Sequence, residues 1–366
     1  MTGEATVENH ALLVRDGIIV DLVGNNHIPA EAQKRSCRDQ ILAPGLIDAQ
    51  VNGGGNILLN NEPSVESCLA IATAHRNYGT TSLLLTCISD TTETTHKAAA
   101  AIREARKTDK SVLGLHLEGP HLSKDKRGVH SASAVRPLTT DDKLFYKRMG
   151  DESLLITLAP ETIGPEDIRA LQRNGAIIAL GHTNAAADVV RTALASGATG
   201  FTHLYNGMGD MKARAPGVVG TALDDRQSWC GLIADGHHVA PEMIRLALRA
   251  KPQGKVFLVS DAMAPAATDK PQPFQLYGET IKLEASKPFS ACVTDEGRLA
   301  GSAITLLDAV KHCVKNVGIE LDEALRMAST YPAAFLGVGS TLGKLLPGHK
   351  ADILGLTPDL ELRQVF

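Results

Sequence analysis

One alternation repeats along the middle of the chain. An apolar run of strand length, rich in β-branched residues, ends in a polar residue, and a helix-like stretch follows. The runs are GLIDAQVNG (45–53), TSLLLTCIS (81–89), SVLGLHLEGP (111–120), SLLITLAPE (153–161), AIIALGHT (176–183), GFTHLYN (200–206), WCGLIADGHH (229–238) and KVFLVSDAM (255–263). Between them, SVESCLAIATAHRNYG (64–79) spaces its apolar residues helically and stops at glycine, and PEDIRALQRNG (165–175) opens on proline and acids. AAADVVRTALASG (185–197) and PEMIRLALRA (241–250) read the same way. Strands alternating with helices predict a parallel sheet, because each parallel connection needs a crossover. Eight such units predict an α/β chain folded as a TIM-like (β/α)8 barrel. An open doubly wound sheet would not need eight strands, and no GxGxxG follows an early strand.

The ends break the pattern. ALLVRDGIIVDLV (11–23) reads as two short strands about Asp16-Gly17, and GKLLPGHKADILGL (343–356) is again strand-like and punctuated by glycine. Residues 1–43 and 338–366 are therefore expected to pair as one small β-sandwich domain, with the barrel over 44–337. An insertion near 272–300, containing ETIKLEA and SACVTDEGRLAG, is expected to form a hairpin after the eighth strand. Helices are expected near 303–316 and 321–336.

Composition narrows the function classes. The chain has 366 residues, 43% hydrophobic and 21% charged, with a net charge of −4. A weakly acidic surface attracts neither nucleic acid nor an anionic membrane. No apolar run reaches the roughly 20 residues that cross a bilayer, and MTGEATVENH lacks the basic-then-apolar order of a secretory leader. Six scattered cysteines without a CxxC pair suggest neither a disulfide framework nor a thiolate zinc site. The cytoplasm is the expected location.

The chemistry of such a barrel lies where its strands end. The third run ends at Glu118, the fifth at His182, the sixth carries His203 and the eighth ends at Asp261. A single histidine at a strand end is usually hydrogen-bonded scaffold. One carboxylate and two imidazoles on one rim instead suggest the shell of a divalent ion, with zinc the expected metal and iron(II) or another divalent ion the alternatives. Three protein ligands leave a position for water, which marks a catalytic site, and Asp261 is placed to take a proton. His116 lies one pleat deeper than Glu118 and is expected in the core or just behind the ligands. His237 and His238 alternate faces, so at most one is expected to enter the site.

PGLIDAQVNGGG (44–55), GLHLEGP (114–120), LGHTNA (180–185), THLYNGM (202–208), IADGHHV (233–239) and VSDAMAP (259–265) together resemble the N-acetylglucosamine-6-phosphate deacetylase family of the amidohydrolase superfamily. The resemblance runs from about residue 1 to about 360. Most amidohydrolases hold a second metal with His-x-His at the first strand; here Gln50 and Asn52 stand there, as in the family's one-metal branch. The resemblance implies one metal per subunit on Glu118, His182 and His203. It implies Asp261 as base and then acid, and His130 on the acetamide carbonyl. Asn206, Gly207, Arg214 and His238 match positions that bind the sugar phosphate, and Val129, Leu299, Ala300 and Gly301 match further substrate contacts. In the family, the arginine and the DGxH histidine reach across a homodimer interface, so Arg214 and His238 are expected in the neighbour's site. The implied reaction converts N-acetyl-D-glucosamine 6-phosphate to D-glucosamine 6-phosphate and acetate. An amidohydrolase acting on another N-acyl amino sugar or a D-amino-acid amide is the alternative, and a non-catalytic, metal-free sugar-phosphate binder a third.

Overall fold

Each of the eight apolar runs forms a strand in the computed structural model, which describes residues 1–149, 153–286 and 288–366. Numbering barrel elements only, the strands are β1 (Leu46–Val51), β2 (Thr80–Ile88), β3 (Val112–Glu118), β4 (Ser153–Leu158), β5 (Ile177–Leu180), β6 (Gly200–Phe201), β7 (Trp229–Ile233) and β8 (Val256–Val259). They form one parallel sheet in chain order. After each strand comes a helix: α1 (Val65–Arg76), α2 (Thr92–Thr108), α3 (Thr140–Lys147), α4 (Pro165–Arg173), α5 (Ala187–Ala195), α6 (Gly217–Asp224), α7 (Pro241–Ala250) and α8 (Leu306–His312). Side chains start several of them. Ser64 and Thr91 accept from Ser67 N–H and Thr94 N–H, and Thr305 and Asp308 cap α8 reciprocally.

The barrel closes at β1 and β8, where pairing is thinnest. Val51 and Ala262 bridge in parallel. Asp261 N–H donates to Gln50 O at 3.1 Å, and Asn52 N–H to Ala262 O at 2.9 Å. The buried Asp48 carboxylate accepts from Ser260 N–H at 3.3 Å, a side chain standing in for a missing ladder bond.

Beyond β5, β6 and β8 the chain leaves the strand in the same way. His182, His203 and Asp261 have φ of 48°, 28° and 51°, outside the extended region, and follow β5, β6 and β8. The expected hairpin is a larger element. Four antiparallel strands, Phe274–Leu276, Glu279–Glu284, Ala291–Val293 and Leu299–Ser302, form a meander. Its last strand joins the rim, with Ser302 N–H donating to Asp261 O at 2.9 Å. The run expected as one helix over 321–336 is two, Leu321–Ala328 and Thr330–Phe335, broken at Ser329. Pro332 explains the break, since it has no N–H for the carbonyl four residues earlier.

At the ends, His10–Arg15 pairs with Ile18–Gly24 about a turn in which Asp16 and Gly17 both have positive φ. Ile41–Pro44 pairs with Ile353–Leu356, which pairs with Leu362–Val365. Ile19, Leu345 and Ile353 pack together as their shared core, which completes a small β-sandwich beside the barrel. Among the described residues, no helix is long and apolar enough to cross a membrane.

Candidate active site

Strand β3 divides its two faces. Leu113, Leu115 and Leu117 join the main apolar core, while His116 and Glu118 take the other side. His116 is fully buried, with Nδ1 3.1 Å from Thr86 Oγ1 and Nε2 2.8 Å from Thr157 Oγ1. Burial pushes its pKa down to about 4, so it is a neutral part of the interior, as expected from its depth. Beside it lies a cavity of about 10 Å³, lined by Gln50, Thr202, His203 and Phe201 among others. That volume suits one water at most. Anything larger than water must therefore approach from the rim.

Glu118, His182 and His203 meet above this layer. Glu118 Oε1 is 3.1 Å from His182 Nε2 and 2.8 Å from His203 Nε2, and the two ring nitrogens are 3.1 Å apart. A tetrahedral ion with bonds of roughly 2.0–2.1 Å sets its ligand atoms about 3.3 Å apart, so a few tenths of an ångström of spreading would admit one. The tautomer also fits. His182 Nδ1 lies 2.8 Å from Lys126 O, a pure acceptor, so Nδ1 carries the proton and Nε2 presents a lone pair to the cluster. Burial alone would push Glu118 up, but the neighbouring His182 and His203 rings outweigh it and hold the carboxyl well below its usual range. Burial would lower His203, but Glu118 raises it above the ordinary imidazole value. A proton and a divalent cation thus compete for the same atoms.

His130 is near enough to be considered a ligand. Glu118, His130 and His182 each offer an atom within 4.8 Å of the others. Its hydrogen bonds argue for another role. Ser89 N–H donates to His130 Nδ1 at 3.3 Å, so the proton sits on Nε2, which lies 4.0 Å from Glu118 Oε2. Burial, and then His182, push the ring's pKa down to about 3. His130 is therefore a neutral N–H donor facing the cluster.

Asp261 Oδ1 accepts from Gln50 Nε2–H at 2.9 Å and from Asn52 Nδ2–H at 2.8 Å. Gln50 Nε2 also lies 3.2 Å from Glu118 Oε1, so one amide bridges the two carboxylates. Burial and the nearby Glu118 push Asp261 up to about 6. With Oδ1 occupied by donors, Oδ2 is the oxygen left to take a proton.

The remaining expected residues divide into two groups. Gly207, at φ 60°, lies under His182: a Cβ there would sit 2.8 Å from His182 Nδ1. Asn206 turns its amide to His203 O at 3.3 Å. Leu299, Ala300 and Gly301 belong to the strand that pairs with the Asp261 main chain, and Val129 packs under the inserted sheet beside His130. His238 Nδ1 pairs with Asp235 Oδ2 at 2.7 Å, whereas His237 Nε2 turns away to Phe289 O at 2.7 Å. Arg214 stands apart, in the exposed segment 210–216, with no hydrogen bond or ion pair among the described residues.

Three neighbours support these residues, of which Asp235, at the end of the seventh run, was legible in the sequence. Ser89 supports His130, Asp235 holds His238, and Glu161 accepts from Thr183 Oγ1 at 2.5 Å and Asn184 N–H at 2.8 Å, bracing the loop after His182. Ser89 and Glu161 are the polar residues that end the second and fourth runs, the signal that marked Glu118.

Against known proteins, the chain matches the amidohydrolase family over residues 41–366. It is 39% identical to an N-acetylgalactosamine-6-phosphate deacetylase from Shewanella sp. (strain ANA-3), over 98% of this chain and 90% of that protein. It is 34% identical to the N-acetylglucosamine-6-phosphate deacetylase of Homo sapiens, over 91% of this chain and 84% of that protein. Among solved structures, N-acetylglucosamine-6-phosphate deacetylase from Pasteurella multocida superposes with a TM-score of 0.95 at 35% identity, over 100% of this chain and 95% of the other. An Asp-to-Ala variant of the Mycobacterium smegmatis enzyme, in complex with N-acetyl-D-glucosamine-6-phosphate, gives 0.92 at 25% identity, over 100% and 95%.

Proposed function

Because the chain belongs to the amidohydrolase family, among the N-acetylhexosamine-6-phosphate deacetylases, we propose that it hydrolyses the acetamide of N-acetyl-D-glucosamine 6-phosphate to D-glucosamine 6-phosphate and acetate. The observation that carries this reading is the convergence of Glu118, His182 and His203 within 3.1 Å of one another, with Asp261 bridged to Glu118 through Gln50.

Glu118, His182 and His203 would hold one divalent ion, zinc first and iron(II) next. Bound there, it supplies Lewis acidity to a carbonyl and a water molecule. Gln50 and Asn52 are neutral amides, poor ligands beside imidazole, which supports one ion rather than two. Asp261 takes a proton from the attacking water on Oδ2. His130 donates Nε2–H to the acetamide oxygen as negative charge gathers there. Asp261 then returns the proton to the nitrogen, the C–N bond breaks, and acetate and the amine separate. Val129, Asn206, Gly207 and the Leu299–Gly301 backbone line the sugar. Arg214 and His238 bind the phosphate, reaching from one protomer of a homodimer into its partner's site. The exposed, unpaired position of Arg214 supports that role, since a guanidinium suits a phosphate. We also assign residues 1–43 with 338–366 to one small β domain and 44–337 to the catalytic barrel. The six free cysteines suit a reducing cytoplasm.

Acetate release by the purified, zinc-loaded protein tests the function. Release from the 6-phosphate and little from unphosphorylated N-acetylglucosamine is expected; no release from any N-acetylhexosamine phosphate would reject it. A second reading is the C4 epimer, N-acetyl-D-galactosamine 6-phosphate, favoured by the 39% identical relative. The ratio of kcat/KM for the two epimers decides between them.

A further inference from the structure

Besides the pairing of Ser302 with the Asp261 main chain, side chains fasten the sheet inserted after β8 to the barrel rim. On the β7 side, His237 Nε2–H donates to Phe289 O at 2.7 Å. On the β2 side, the hydroxyl of Tyr277 donates to the carbonyl oxygen of Ser89. Tyr277 occupies the tight turn between Phe274–Leu276 and Glu279–Glu284, at φ 49°, a position where Asn, Asp or Gly is usual. The residue is 37% exposed overall, so most of its surface is covered. Its hydroxyl end is inward, and burial there raises the phenol well above its ordinary pKa, which keeps it a donor.

Ser89 is the residue on which His130 rests. Its N–H lies 3.3 Å and its Oγ 2.9 Å from His130 Nδ1, and its Oγ also reaches Glu118 O at 3.2 Å. Apolar packing follows the same route. Ile88 and Val129, the residues just before Ser89 and His130, join Phe274, Leu276 and Ile281 of the inserted sheet in one cluster. Polar and apolar contacts from a single element therefore bracket both partners of the Ser89–His130 pair.

We propose that Tyr277 is a positioning residue that fixes His130 through Ser89, so that the inserted sheet, together with the barrel, sets the geometry of acetamide-carbonyl recognition. This rests on the donating role assigned to His130 above.

The test is a double-mutant cycle of Tyr277→Phe and His130→Asn, read as kcat/KM for acetate release. Metal content, Tm and the ¹⁵N resonances of the His130 ring are followed in parallel. Loss of the hydroxyl is expected to lower kcat/KM about 3- to 10-fold, chiefly through kcat, with metal content and Tm unchanged. In the His130→Asn background the further loss is expected to stay under about 2-fold. The His130 ring resonances, assigned by their disappearance in His130→Asn, are expected to move in Tyr277→Phe. Equal losses in both backgrounds, or unmoved ring resonances, would overturn the proposal. If His130→Asn turns over like the wild type, the carbonyl role of His130 falls and the Tyr277 claim with it. If the wild type releases no acetate, the function falls instead, and the ring resonances still judge whether Tyr277 positions His130.

Discussion

Asp261 shows how one side chain can be set between two charge states. Burial and Glu118 push its pKa up to about 6, while the amide of Asn52 pulls the other way by favouring the carboxylate. The base must be ionised to work, so kcat/KM falls as pH drops through its pKa, and a bound cation moves that limb to lower pH. Replacing Asn52 with Leu removes a donor to the charged form. The acidic limb of the kcat/KM profile is then expected to move up by about 1 pH unit. A limb that stays in place means that Asn52 does not tune the base. Asp261→Asn keeps the shape but loses the proton acceptor. Its kcat is expected to fall about 10²- to 10⁴-fold while elemental analysis finds the same metal content as in the wild type. At this scale the polar endings of the apolar runs named Glu118, His182, His203 and Asp261. They did not name Tyr277, because it acts through a partner far along the chain, Ser89, 188 residues away.

Strands and loops were readable where periodicity alone decides them. Helix α7 (Pro241–Ala250) falls where its run predicts, and β2 buries all nine of its residues, as a parallel strand covered on both sides should. The strand ends were not readable. His182, His203 and Asp261 adopt left-handed backbone without being glycine, which no local pattern announces, and such strain persists where the surroundings over-determine it. The helix break at Ser329 was signalled by Pro332, three residues on. The loops after β5 and β6 also depend on each other. Thr183 N–H donates to Gly207 O at 3.0 Å, and Gly207 leaves room for His182. Gly207→Ala is expected to displace His182 Nδ1 from Lys126 O and weaken metal affinity about 10-fold or more, measured by competition with a chelating dye. Unchanged affinity would show that the loop tolerates the methyl group. Leu115→Ala, on the far face of β3, is expected to lower stability by about 2–5 kcal/mol in denaturant melts while metal affinity stays as in the wild type.

For the molecule as a whole, the barrel followed from counting eight alternations, and the pairing of the chain ends from two outlying strand-like segments. The inserted sheet was underestimated as a hairpin, because SACVTDEGRLAG holds two short strands, Ala291–Val293 and Leu299–Ser302, and the three-residue Phe274–Leu276 is too short to read as another. The proposed ion would join β3, β5 and β6, so its removal bears on the entire barrel. Chelation is expected to lower Tm, by the equivalent of about 2.7 kcal/mol when free metal had stood at 100 times its Kd. An unchanged Tm would place the ion outside the folded core. The most direct check is a crystal structure of the zinc-loaded protein with anomalous scattering data. One ion per chain is expected, at roughly 2.0–2.2 Å from a Glu118 carboxylate oxygen, His182 Nε2 and His203 Nε2. An ion bound elsewhere, or a second ion held by Gln50 and Asn52, would contradict the account.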